Sequence, residues 1–169
     1  MKMGEGPCFT RARWSSSMDK FVDTPFGRYT LSDDPARLDI EAVHGYLRRS
    51  YWAQAIPLAV VERAVAASLC LGVYEPSGGQ VGFARLVSDY ATFCYVCDVY
   101  VLEEHRGRGL SKALMATAMT HPRLQGLRRW HLVTRDAHGL YERFGFRPLA
   151  HQERHMEISD PEIYSRPDG

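Results

Sequence analysis

From Gly27 onward the apolar residues switch between strand-like and helix-like spacing, and the switches outline a fold. Gly27-Arg28-Tyr29-Thr30-Leu31 alternates as a short strand, and Ser32-Asp33-Asp34-Pro35 supplies residues that turn the chain and cap a helix. Leu38, Val43 and Leu47 then recur at helical intervals through Arg49. Two adjacent aromatics, Tyr51 and Trp52, interrupt that helix, and Pro57 opens a second one that runs to Leu69. Leu69 to Tyr74, Gln80 to Val87 and Thr92 to Leu102 read as three strands. The first two are joined by the turn Glu75-Pro76-Ser77-Gly78-Gly79, which predicts an antiparallel meander. A glycine- and arginine-containing loop follows, then a helix from Leu110 to about Thr120 and a strand at Arg129 to Thr134, the order of a β-loop-helix-β crossover. Asp136 is placed to cap a further helix, Ala137 to Phe144, stopped by Gly145, and a last strand is expected near His155 to Ile158.

These elements predict a mixed α/β (α+β) domain, a mostly antiparallel mixed sheet with helices on both faces. Residues 1–24 show no apolar periodicity and carry a Ser-Ser-Ser run, so they read as a flexible N-terminal extension to a domain spanning 25–169. A chain of 169 residues is long enough for one substantial core and short for two. Its formal net charge of +1 offers no general attraction to nucleic acid or anionic membrane. No apolar run approaches the roughly 18 residues of a membrane span, and the N-terminus lacks the apolar core of a secretion signal, so a cytoplasmic location is expected.

Two metal-like patterns carry little weight. Cys94 and Cys97 make a single CxxC inside the apolar, β-prone run Phe93-Cys94-Tyr95-Val96-Cys97, which reads as a strand and supplies no second ligand pair. His151-Gln152-Glu153-Arg154-His155 places its glutamate third, where the metalloprotease helix needs it second. No metal site is expected.

The loop after the third strand of the meander is the informative motif. A strand that passes through glycines into a helix presents free backbone N–H groups and the positive end of a helix dipole, an arrangement suited to phosphate. Gly107 and Gly109 allow close backbone approach, and Arg106 and Arg108 add positive charge. The spacing lacks the third glycine of GxGxxG and has no GxxxxGK[ST], so common nucleotide-binding classes fit poorly.

Arg106-Gly107-Arg108-Gly109-Leu110-Ser111 resembles the acetyl-CoA loop of the GNAT N-acetyltransferase family, and Gly139-Leu140-Tyr141-Glu142-Arg143-Phe144-Gly145-Phe146 resembles that family's second conserved segment. Ser111 stands where the family usually has Gly or Ala, and Thr134 where many members place an asparagine near the pantetheine arm. The resemblance implies acetyl-CoA bound on Arg106 to Ser111, with its arm along Val99, Tyr100 and Val101 and near Thr134, His138 and Tyr141. It also implies direct transfer to an amine of a small molecule or peptide, with Tyr141 as the general acid.

Asp98, the one acid within an otherwise apolar strand, is either a base, acting through water, or a structural carboxylate. Tyr51, Trp52, Arg85, Tyr90 and Tyr95 are the candidate acceptor-pocket residues, although aromatics at such positions serve equally as core. His138 lies one helical turn before Tyr141 and His105 flanks the loop; for both, a surface or capping role is the alternative. Dimers are common in the family, so a homodimer is allowed for. A non-catalytic CoA-binding regulatory module is the competing functional class, and the tyrosine at 141 argues against it.

Overall fold

A computed structural model describes residues 18–166. Strand β1 (Lys20–Thr24) pairs antiparallel with β2 (Gly27–Ser32), and helices α1 (Ile40–Leu47) and α2 (Leu58–Ala66) follow. Strands β3 (Leu69–Tyr74), β4 (Gln80–Ser88) and β5 (Phe93–Val101) form the meander. Helix α3 (Leu110–Met119) crosses to β6 (Arg129–Leu132), and the short helix α4 (His138–Tyr141) follows. The six strands lie in sequence order, antiparallel throughout except for the parallel pair β5–β6. This is the mixed sheet the pattern predicts.

The sheet is covered on both faces, which is why β3 reads LCLGVY and is buried along its whole length. Leu69, Leu71 and Val73 pack with Leu114 and Met115 of α3, while Cys70 joins Val43, Leu47 and Val61 of α1 and α2 on the other face. Each helix start has its local cause. Asp39 caps α1 by accepting from Ala42 N, and Pro57 sits at the cap of α2, one position outside the expected N1.

Strand β5 carries the most consequential irregularity. Arg85 pairs with Cys97 and Phe83 with Tyr100, so Ala84 alone faces both Asp98 and Val99, a two-against-one bulge. Asp98 takes φ +54°, a left-handed conformation that Asp tolerates better than most residues. The extra residue inverts the alternation. Cys94 and Val96 face the α3 core before the bulge and Val99 and Val101 after it, while Tyr100 joins the α1–α2 core.

Four expectations need correction. Lys20–Thr24 is a strand, from Lys20↔Leu31 to Thr24↔Gly27, so the part of the 1–24 extension that is described from Lys20 belongs to the sheet; residues 1–17 lie outside the described residues. The helix expected over Ala137 to Phe144 is α4 alone, tightening into a 3₁₀ turn at Glu142–Phe144 before Gly145. Asp136 makes no cap; the Thr134 hydroxyl accepts from Ala137 N at 3.1 Å. Residues His155 to Ile158 form no strand, and Met156 and Ile158 are fully exposed. Of His155, Met156, Glu157 and Ile158 only Ile158 is a strand-favouring residue, and no described strand hydrogen-bonds the run. No helix among the described residues is long and apolar enough to cross a membrane.

Candidate active site

The loop between β5 and α3 is folded by its own arginines. Arg106 Nε donates to Val101 O at 3.1 Å and its Nη2 to Glu103 Oε1 at 2.7 Å and to the Tyr46 hydroxyl at 3.3 Å. Arg108 Nη2 donates to Glu104 O at 2.7 Å, Nη1 donates to the Tyr29 hydroxyl, and the guanidinium lies 4.0 Å above the Phe26 ring. Tyr29 is buried and in turn donates to His105 Nδ1 at 2.8 Å. The guanidinium groups therefore brace the loop.

That backbone is open. Gly107 and Gly109 take φ +73° and +81°, and a Cβ at either would meet no atom within 4 Å. The glycines are needed for conformation and clearance, not for packing. From Gly107 to Lys112, six consecutive N–H groups make no hydrogen bond within the described residues; the first backbone donor to close on the loop is Ala113, to Gly109 O. No acidic side chain occupies the first turn of α3, so nothing there opposes an anion.

Beside the loop the sheet opens. β5 and β6 pair from Phe93↔Arg129 to Val96↔Leu132, where β6 ends, while β5 continues through the bulge to Val101. Val99, Tyr100 and Val101 thereby have no partner in β6, and of their carbonyls Val101 O is taken by Arg106 Nε. Tyr100 stacks on Tyr46 with centroids 3.8 Å apart, holding α1 over this stretch.

Asp98 is clamped. Its Oδ2 accepts from Arg85 Nε at 2.6 Å and its Oδ1 from the Trp52 indole at 3.1 Å, while Arg85 Nη1 reaches Ser68 Oγ at 3.3 Å. With both oxygens engaged, the structural alternative for Asp98 is the one its geometry favours. Tyr51 packs edge-on against Trp52 and accepts a hydrogen bond from Arg135 N at 3.3 Å, with the Arg135 guanidinium over its ring. The aromatic loop thus spans from the bulge to the chain beyond β6.

Tyr141 is 9% exposed, with its ring edge-on to Phe146. Burial, helped by Tyr51 and Asp136 nearby, pushes its phenol up to about 12, so it keeps its proton at neutral pH. Thr134, His138 and Tyr141 together line a cavity of about 420 Å³ beside β6.

A second cavity, of about 250 Å³, lies between the sheet and α1–α2, lined by Trp52, Arg85, Tyr95 and Asp98 among apolar neighbours. Tyr51 is at its rim through Trp52 and is not a lining residue. Tyr90 is misplaced in the sequence reading: it occupies the β4–β5 turn at φ +60° beneath the Arg123 guanidinium, on the α3 side, away from that cavity. Tyr29, Tyr46 and Tyr164 escaped that reading. Tyr29 and Arg108 are 79 residues apart, and no local pattern links them.

Comparison with known proteins agrees with this arrangement. The profile of the acetyltransferase (GNAT) domain matches residues 66–148. A crystal structure assigned to the GNAT family, from Xanthomonas campestris pv. campestris, is 53% identical with a TM-score of 0.79, covering 82% of this chain and 97% of its own. A candidate acetyltransferase of Gibberella zeae is 31% identical over 137 residues, 68% of this chain and 76% of that protein. A predicted acetyltransferase of Clostridium acetobutylicum, solved with acetyl-CoA, shares the fold at 14% identity and a TM-score of 0.57, covering 78% and 94% of the two chains. The open amide cradle, the bulged and splayed strands and these relatives together place the chain in the GNAT family of acetyltransferases.

Proposed function

We propose that the protein transfers an acetyl group from acetyl-CoA to a primary amine by direct attack, both substrates being held at once. The observation that carries this reading is the run of six unpartnered N–H groups, Gly107 to Lys112, beside the open edge of β5. Such a run suits a pyrophosphate, and the exposed strand edge suits an arm bearing amide groups. The Clostridium protein of the same fold was solved with acetyl-CoA.

When bound, acetyl-CoA supplies a thioester whose carbonyl carbon accepts the amine and whose sulfur departs. On this reading the N–H groups of Gly107 to Lys112 hold the diphosphate, which includes Arg108 and Ser111 of the expected set but not the Arg106 N–H, which donates to Glu103 O; the edge of Val99, Tyr100 and Val101 orients the arm, with Thr134 and His138 flanking it. A backbone N–H near Val99 or Tyr100, beside the bulge, is the donor that the family resemblance assigns to a developing oxyanion. Tyr141 stays protonated and supplies a proton to the leaving sulfur; the proton that the nitrogen loses as its C–N bond forms returns through solvent to the tyrosinate, so amine and thioester become amide and thiol. Asp98 acts as a positioning residue, fixing Arg85 and Trp52 at the bulge.

Calorimetry with acetyl-CoA, and with ATP as control, tests the cradle. Micromolar binding of acetyl-CoA with little of ATP is expected. Folded protein that binds neither would refute the reading.

A further inference from the structure

Resting on the amine acetyltransfer reading, we propose that the acceptor is a small monoamine with an uncharged, apolar body, seated in the cavity between α1–α2 and the sheet, and that Tyr164 is a specificity residue closing that cavity.

Apolar side chains, Leu47, Ile56, Val61, Val65 and Phe83 among them, are the majority of the lining residues of this cavity, and Arg85, Tyr95, Cys97, Asp98 and Tyr164 supply its polar part. Its charged groups are Arg85 and Asp98, which neutralise one another at 2.6 Å. No lining carboxylate is left over to receive a second ammonium, so a polyamine or aminoglycoside would bury an uncompensated charge there. An apolar body meets no such penalty. The same surroundings disfavour the ammonium form of the reacting amine and so help present it as the neutral nucleophile.

Size narrows the class further. An apolar cavity of roughly 150 Å³ admits benzene, and this one, at about 250 Å³, has room for a phenyl ring or branched alkyl group with a short aminoalkyl chain. Asp98 and Cys97, at the inner wall, put the bulge of β5 at one side of the cavity. An amine held there is directed at the splayed strands.

Tyr164 comes from outside the α/β frame. Residues 151–166 are exposed with the sole exception of Tyr164, whose ring packs against the α1–α2 core and lines this cavity. The segment also stacks His155 on His131 of β6, and Tyr164 is the one residue that it contributes to this cavity, where the ring sets the width of the pocket.

The test follows thiol release from acetyl-CoA by the full chain with phenethylamine, isoamylamine, spermidine or kanamycin, alongside calorimetry of acetyl-CoA alone. Phenethylamine or isoamylamine should exceed spermidine and kanamycin in kcat/KM by roughly tenfold or more. Tyr164→Ala should raise KM for the preferred apolar amine by about tenfold with acetyl-CoA affinity unchanged, and Tyr164→Phe should restore it. Preference for spermidine or kanamycin, or no acetylation of either apolar amine by protein that binds acetyl-CoA, overturns the acceptor class and leaves the transferase reading standing. An unchanged KM in Tyr164→Ala overturns the role of Tyr164. Loss at the earlier step, no acetyl-CoA binding at all, would remove the transferase reading and this proposal with it.

Discussion

Trp52 and Asp98, 46 residues apart, are joined by a 3.1 Å hydrogen bond from the indole N–H to Oδ1, which fastens the loop between α1 and α2 to the bulge in β5. Arg85 holds the other carboxylate oxygen from the neighbouring strand. Three elements that must be in register around the splayed strands therefore meet at one side chain.

Asp98→Asn keeps an oxygen for Trp52 and removes the counter-charge of Arg85, whose side chain is 20% exposed. Stability should fall by about 2 kcal/mol, below the figure for a fully buried pair. Urea unfolding measures this. A variant of undiminished stability with kcat reduced a hundredfold would instead restore Asp98 as the base.

Tyr141→Phe preserves the ring against Phe146 and removes only the hydroxyl. A fall in kcat of about a hundredfold is expected, at the low end for general acid catalysis, with acetyl-CoA affinity within about twofold. Steady-state kinetics paired with calorimetry separates the two. Equal losses in both would assign the tyrosine to packing.

Gly109→Ala forces a Cβ onto a residue at φ +81° in otherwise empty space. The strain costs about 1 kcal/mol, and the methyl group intrudes where the cradle faces its ligand. Acetyl-CoA affinity should drop by roughly tenfold or more, read by calorimetry on protein whose far-UV spectrum is unchanged.

Tyr29→Phe removes the hydroxyl that accepts from Arg108 and donates to His105. About 1 kcal/mol of stability should go, and acetyl-CoA affinity should weaken by a few-fold as the loop loosens. Thermal unfolding and calorimetry report these separately; unchanged affinity would mean the brace serves stability alone.

Alkaline pH should destabilise the fold. Burial pushes the thiols of Cys70, Cys94 and Cys97 up to about 12, and the phenol of Tyr141 likewise. In the unfolded chain thiols titrate near about 8.5 and phenols near about 10. The folded state thus holds these protons more tightly; its advantage is complete below about pH 8.5 and is lost as pH rises towards 12. Thermal midpoints measured from pH 7.5 to 10.5 should decline, and a flat profile would contradict the burial.

Local periodicity and turn chemistry were enough to locate β3, whose bounds Leu69 and Tyr74 match the structure, and the start of α3 at Leu110. The conformation of the glycine-arginine loop was legible because it depends on neighbouring residues: positive-φ glycines followed at once by a helix N-terminus. The bulge was not legible, because it is a mismatch between two strands and exists only when Ala84 must face both Asp98 and Val99. The pairing of Tyr29 with Arg108, the turn position of Tyr90 and the reach of Tyr164 into the cavity likewise depend on how distant segments come to lie beside one another. The run at His155 to Ile158 holds a single strand-favouring residue, Ile158, and has no partner strand among the described residues. Chain order and backbone preference are properties of neighbouring residues, and they set the elements and the open glycine loop; which oxygens of Asp98 are occupied, and which ring lines the cavity, follow from packing across the sheet, where contacts between residues far apart in the chain are made.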